Sequence, residues 1–369
     1  MYTLVCPCIF GLEKIVSFEL RRVGATDIVA DNGKVTARGD ALTVAKANLG
    51  LRCAERVLIQ LAQFSATSFE DLFQGTYAID WAGIIPQTGA FPVKGWSLGS
   101  QLASIPDCQS IIKKAAVEKL KAAYGISWFS ETGEKYQIQF SIFKDQVSIL
   151  LDTSGDGLHK RGYRRRQGAA PIKETLAAGI IDLARVRPGD TVYDPLCGSG
   201  TILIEAAMRA MNIAPGLQRS FAAEQWTTFP KKAFADARRQ ALDEIDRSAA
   251  FEGIGFDIDP QAAQLTAENA KLAGVDSRIT VQVQDITRHK LKDAHGILIT
   301  NPPYGERLLT PAQCSRIHQA LGAMCHHNDL KSYIITSSDR FEEEFGKKAD
   351  RRRKLYNGEL KCQLYMYFK

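Results

Sequence analysis

The stretch Thr191-Val192-Tyr193-Asp194-Pro195-Leu196-Cys197-Gly198-Ser199-Gly200-Thr201 decides how the second half of the chain is read. A β-branched and aromatic run leads in, two glycines follow, and the apolar residues of 202–211 then recur at helical spacing. This is a strand, a tight turn and a helix start. Gly198 and Gly200 let the backbone come close to a ligand, because no Cβ stands in the way.

The same grammar repeats downstream. Residues 253–257 end a strand at Asp257, and 261–273 form a helix. Residues 279–283 form a third strand, followed by Asp285. Gly296-Ile297-Leu298-Ile299-Thr300 is a fourth, followed by Asn301. Alternating strands and helices imply a doubly wound parallel sheet, whose ligands bind at the carboxyl ends of the strands. Asn357-Gly358, flanked by 353–356 and 359–368, predicts a type I′ hairpin closing that sheet in antiparallel fashion. Nicotinamide-binding domains of this class usually lack such a hairpin.

The residue types at those strand ends narrow the ligand. Asp194 puts a carboxylate where a dinucleotide site would have to receive pyrophosphate, so it disfavours phosphate and favours a cationic group. S-adenosylmethionine carries an ammonium and no phosphate, and it fits. Asp257 can accept both ribose hydroxyls, with Asp259 as the alternative. Asp285 can accept from the adenine amine. A single Asp after a strand is usually a helix cap; four landmarks in this order are not.

Asn301-Pro302-Pro303-Tyr304-Gly305-Glu306-Arg307 is a stiff loop, since two prolines cannot continue a strand ladder. The Asn301 amide oxygen and the Pro302 carbonyl make a neutral, acceptor-rich cup suited to an exocyclic amine. Tyr304 offers a flat face to a flipped base. None of the eight cysteines, at 6, 8, 53, 108, 197, 314, 325 and 362, sits in this loop. That counts against the cysteine chemistry that methylation of a pyrimidine carbon requires.

The first half of the chain has a different texture. Strands over 2–10, 29–37 (broken by Asp31-Asn32-Gly33) and 54–64, with helices over 12–23 and 41–49, follow a ferredoxin-like order. A second α/β unit has helices at 68–81 and 107–124, a strand at 92–96, and strands at 136–143 and 146–151 joined at Lys144-Asp145. Residues 152–168 are rich in glycine and charge and read as a linker, whose Lys160, Arg161, Arg164, Arg165 and Arg166 interleave with Tyr163 as a phosphate-contacting patch. The domain limits expected are 1–65, 66–155, 156–170 for the basic linker and 171–369. In the last, an insertion with Pro215-Gly216 and Trp226 leads to a charged helix near 231–247.

Composition agrees with a globular chain of several domains: 369 residues, 45% hydrophobic, 24% charged, net charge +6. The scattered cysteines read as reduced thiols of a cytosolic protein, and no metal cluster, signal peptide or membrane-length apolar run is visible.

Over nearly its whole length the chain resembles the THUMP-containing RNA guanine-N2 methyltransferases, above all the bacterial large-subunit ribosomal RNA group. The likeness rests on Asp152-Thr153-Ser154-Gly155 with 158–164, on Pro171-Ile172-Lys173-Glu174-Thr175-Leu176, on the Asp194 stretch, and on Asn301 to Arg307. The resemblance implies three parts: a ferredoxin-like domain, a THUMP RNA-binding domain and a Rossmann-like class I methyltransferase domain. It also implies methylation of a guanosine in 23S ribosomal RNA or a ribosome assembly intermediate in the cytoplasm, with a tRNA guanine, an adenine N6 amine or an RNA-binding assembly factor as rival readings. Some relatives carry a second methyltransferase domain. This chain ends without one, so the guanine-N2 reaction alone is expected. The cofactor residues implied are Asp194, Cys197, Gly198, Gly200, Thr201, Asp257, Ile258, Asp285 and Asn301, with no metal. Asn301, Pro302 and Tyr304 are the catalytic set, and Lys173 and Arg307 join the linker residues on RNA.

Overall fold

The computed structural model describes residues 1–164, 172–288, 291, 293–303 and 310–368. The expectations for Arg165, Arg166, Tyr304 and Arg307 lie outside these residues. The chain divides into two compact units, one of Met1–Pro7, Ser17–Leu158 and Ser220–Arg239, the other of Cys8–Val16, His159–Arg219 and Gln240–Lys369. The limits expected from sequence were contiguous. Here residues 8–16 leave the N-terminal part, and residues 220–239 leave the C-terminal one.

The first unit is built on one sheet rather than two. Its strands are β1 (Tyr2–Pro7), β2 (Thr26–Asp31), β3 (Lys34–Gly39), β4 (Leu58–Ser65), β5 (Val93–Leu98), β6 (Ile138–Phe143) and β7 (Gln146–Asp152), in the order β2-β3-β1-β4-β7-β6-β5. The first four give the ferredoxin-like arrangement. Antiparallel pairing of β4 with β7, from Leu58 opposite Asp152 to Ser65 opposite Gln146, carries the sheet on into the second α/β part. Lys144 and Asp145 turn the β6–β7 hairpin with φ of 50° and 61°, the left-handed pair that suits strand twist. Ser68 and Asp71 form a capping box that starts the helix Phe69–Tyr77.

The insertion is held in this unit by an aromatic anchor. Trp226 is fully buried, stacks on Tyr136 at 4.9 Å between centroids, and donates its indole N–H to the Lys135 carbonyl at 2.9 Å. A large ring with a satisfied polar tip buries well, and the sequence position alone does not say against what.

The second unit holds β8 (Thr191–Asp194), β9 (Glu252–Asp257), β10 (Ile279–Val283), β11 (His295–Thr300), β12 (Asp329–Thr336), β13 (Arg351–Asn357) and β14 (Leu360–Tyr367). Their order is β10-β9-β8-β11-β12-β14-β13. The first five run parallel, and β14 is antiparallel to both β12 and β13. The closing hairpin is present, but its turn is shifted by one residue. Asn357 pairs with Leu360, so Gly358 and Glu359 are the central residues, and only Gly358 has positive φ, at 67°. A type I′ turn needs both central residues left-handed, so the type expected at Asn357-Gly358 is corrected. Apolar residues of β11, β12 and β14 pack with Phe341, Phe345 and Leu321 into one buried core.

Candidate active site

Strand order sets the site. Because β9 lies on one side of β8 and β11 on the other, the sheet changes winding direction at β8, which is where open sheets of this kind bind ligands. Asp285, Asp257, Asp194 and Asn301 end or follow neighbouring parallel strands and stand in that order along one edge.

The glycine turn is fastened from behind. Gly200 has φ of 78° and opens the helix Thr201–Ala210; a Cβ there would meet Thr266 Cγ2 at 2.5 Å. Thr266 and Asn269, on the helix Pro260–Ala273, donate to the carbonyls of Gly198 and Ser199 at 2.8 and 3.0 Å. With those carbonyls pulled back, the backbone N–H of Gly198 donates to Asp257 Oδ2 at 2.9 Å. Gly198 itself has φ of 53°, and a Cβ on it would meet nothing within 4 Å, so that side of the turn borders open space. Cys197, expected among the cofactor residues, is buried. Its thiol is enclosed 3.8 Å from Thr266 Oγ1 and burial pushes its pKa far up, so what it can offer a ligand is backbone.

Asp194 is buried, with 1% exposure. Its Oδ1 accepts from the Thr300 hydroxyl at 2.7 Å and the Leu196 N–H at 3.2 Å, so among the described residues Oδ2 is left for an incoming group. Burial raises its pKa to about 7 against the lowering effect of those bonds, with the Asp257 charge adding to the rise. A cation brought to Asp194 therefore gains an ionised partner in a poorly solvated place. Thr300, not among the expected site residues, directly precedes Asn301 and ties the end of β11 to the end of β8. A hydroxyl between a buried carboxylate and a motif is a signal that only the partner's position makes legible.

Asp257 and Asp259 divide their tasks. Asp259 caps the helix Pro260–Ala273 through Gln261 N–H, whereas Asp257 stands at the end of β9. Ile258 between them is 66% exposed and presents apolar surface. Asp285 has its pKa lowered by the Thr287 hydroxyl and N–H, both of which donate to Oδ1. Asn301 Oδ1 is buried and has no hydrogen-bond partner among the described residues. An acceptor left bare in a buried place costs about 1–3 kcal/mol, and a ligand N–H relieves that cost. Cys314, on the helix Pro311–His326, donates its thiol to the Pro303 carbonyl at 3.7 Å, and burial raises its pKa. It stands there as a thiol donor rather than a thiolate. Among the described residues no His, Cys, Asp or Glu group is arranged to hold a metal.

Two linker arginines depart from their expected role. Arg161 is 1% exposed at its side chain and pairs with the fully buried Glu205 at 3.2 Å. Arg164 pairs with Glu174 at 2.9 Å and donates to Thr201 Oγ1 at 3.3 Å. Tyr163 donates to Glu205 at 3.2 Å. These guanidiniums neutralise carboxylates under the glycine turn, so the expectation that Arg161 and Arg164 contact phosphate is corrected. Glu174 and Glu205 would otherwise be buried charges without counter-ions. The predicted cofactor residue Thr201 belongs to the same network: its hydroxyl is held by Arg164 and lies 3.3 Å from Ser199 Oγ. Lys160 is exposed and Lys173 half-buried.

A Rossmann-like sheet with an antiparallel closing hairpin, acidic strand ends and an Asn-Pro-Pro loop defines a class I, S-adenosylmethionine-dependent methyltransferase. Residues 161–366 match the model of the RMKL-like methyltransferase domain, 3–58 that of the RlmL ferredoxin-like domain and 66–152 that of the THUMP domain. The chain belongs to this THUMP-containing family of RNA methyltransferases. It is 44% identical over 373 residues to Putative RNA methyltransferase YpsC of Bacillus subtilis (strain 168), covering 100% of this chain and 96% of that one. Among solved structures, a predicted N6-adenine-specific DNA methylase from Listeria monocytogenes str. 4b F2365 superposes with a TM-score of 0.94 at 42% identity, over 100% of this chain and 96% of that chain. SMU.472, a putative methyltransferase complexed with SAH, does so with a TM-score of 0.93 at 39% identity, over 100% and 98%.

Proposed function

We propose that this protein transfers a methyl group from S-adenosylmethionine to the exocyclic N2 amine of a guanosine in 23S ribosomal RNA, as the free RNA or in a ribosome assembly intermediate in the cytoplasm. The observation that carries the reading is the buried Oδ1 of Asn301 after β11, which has no hydrogen-bond partner among the described residues. S-adenosylmethionine, when bound, supplies an electrophilic methyl on a sulfonium centre. The residues fit it: Asp194 receives the ammonium, Asp257 the ribose hydroxyls, Asp285 the adenine amine, and exposed Ile258 gives the ring an apolar neighbour. Open space beside Gly198 leaves room for the ligand.

The N2 lone pair of guanine is conjugated into the ring and is a poor nucleophile. Asn301 Oδ1 and the Pro302 carbonyl accept its two hydrogens and draw the nitrogen toward a tetrahedral shape. These acceptors are neutral, fixed and in place before the reaction, so they stabilise the developing positive charge at little reorganisation cost. The cationic product amine is acidic enough to lose its proton to solvent, so no general base is required. Tyr304, by its chemistry, stacks on the flipped base.

Nucleoside mass spectrometry of ribosomal and transfer RNA from a strain lacking the gene tests the assignment. Loss of one N2-methylguanosine from 23S RNA, restored by the wild-type gene and not by Asn301→Ala, is expected. The same digest reads N6-methyladenosine in RNA, since an adenine amine would suit the same acceptors. An unchanged 23S guanosine with loss of a tRNA methylguanosine or of N6-methyladenosine would replace this substrate with that one.

A further inference from the structure

The second unit carries a cleft of about 640 Å³ lined by Ile9, Phe10, Gly11, Lys173, Lys354 and Tyr356. Phe10 is 56% exposed, although it is a large apolar ring. The edge of one of the two rings, Phe10 and Tyr356, is set against the other, with centroids 6.5 Å apart, and Lys354 Nζ lies 5.2 Å from the Tyr356 centroid. Arg353 Nη1 donates to the Gly11 carbonyl at 3.1 Å and fixes the segment that presents Phe10. Lys354 and Tyr356 are two apart on β13, so they share a face.

Sheet register puts this cleft on the edge that bears the active site. Thr300 lies opposite Ile334, Ile334 opposite Tyr365, and Tyr365 opposite Arg352. β13 runs in the same direction as β11, so Lys354 and Tyr356 lie further along the carboxyl edge than Asn301. Three strand spacings separate β11 from β13 across the sheet, roughly 14 Å.

An exposed ring beside ammonium groups is the pattern that binds single-stranded nucleic acid, with stacking for a base and cations for its phosphates. We infer that this cleft is a subsite for an unpaired nucleotide that flanks the target base. The base stacks on Phe10, and Lys354 and Lys173 face its phosphates. The subsite rests on the reading of RNA as substrate, but it assigns no base identity and takes no part in methyl transfer.

The test uses the full-length protein and a short fluorescein-labelled polyuridine RNA, which contains no guanine. Fluorescence anisotropy should show Phe10→Ala weakening binding by roughly 5- to 150-fold, the range of one base–aromatic stack. Phe10→Tyr should stay within about twofold of wild type, because a ring face suffices. Lys354→Ala should weaken binding and lower the slope of log affinity against log salt by about 0.7, one phosphate contact on a single strand. S-adenosylhomocysteine titrations should be unchanged in all three variants, which shows that each is folded. Wild-type binding to polyuridine retained in full by Phe10→Ala would overturn the subsite, as would no wild-type binding to polyuridine. Neither result depends on which nucleoside is methylated, so a wrong guanosine assignment would show in the RNA digest and leave this measurement standing.

Discussion

Asp194→Asn keeps the size of the side chain and its acceptor for Thr300 and Leu196, and removes only the charge. In the ligand-free protein burial holds the Asp194 pKa at about 7. A cationic ammonium binds to the ionised form, so affinity should follow the ionised fraction. That fraction is about 1% at pH 5 and about half at pH 7, given a pKa near 7. S-adenosylhomocysteine should therefore bind roughly 50-fold more tightly at pH 7 than at pH 5, or about 2.3 kcal/mol at 1.36 kcal/mol per unit. Asp285, whose pKa is lowered, stays ionised over this range and adds nothing to the slope. The sign for stability is opposite. A carboxyl whose folded pKa is raised favours the native state on the acid side, and that contribution is lost as pH climbs from the ordinary carboxylate value through about 7. Bound cofactor reverses the loss, so the ligand's increment in Tm should grow with pH. Calorimetry from pH 5 to 7, in buffers of different ionisation enthalpy, reads the affinity and the released proton together. Flat affinity in the wild type, or the same slope in Asp194→Asn, would refute the reasoning.

Asn301→Ala should lower single-turnover methylation about 10²–10³-fold at saturating cofactor, with RNA affinity nearly unchanged because phosphate contacts dominate it; full activity in this variant would remove the acceptor cup. Glu205→Ala leaves Arg161 charged and buried, and should cost about 3–5 kcal/mol of stability, read from denaturant unfolding, whereas an unaltered midpoint would mean that the pair is not formed. Gly200→Ala forces a side chain into positive φ and within 2.5 Å of Thr266 Cγ2, so cofactor binding should fall while the N-terminal half keeps its proteolytic resistance; wild-type cofactor affinity would show that the turn tolerates a Cβ.

The central strands of the C-terminal sheet, the glycine turn and the acidic strand ends were legible in the residues because each depends on local chemistry. Gly198 and Gly200 announce positive φ, Asp194 and Asp257 follow β-rich runs, and two prolines end a strand wherever they fall. Ferredoxin-like order could likewise be read from the succession of elements. Burial and pairing between distant segments could not. Arg161 and Arg164 look like a basic linker in one dimension, yet Glu205 and Glu174 sit beside them as counter-ions. Thr300 gains its role only because β11 lies next to β8, and Phe10 meets Tyr356 across almost the full length of the chain. Trp226 is anchored on Tyr136, far from its neighbours in sequence. The physical reason is common to all four: a charge, a hydroxyl or an aromatic ring acquires its function from what desolvates it and what faces it. Those partners are chosen by the packing of sheets and helices, which residue order along the chain does not reveal.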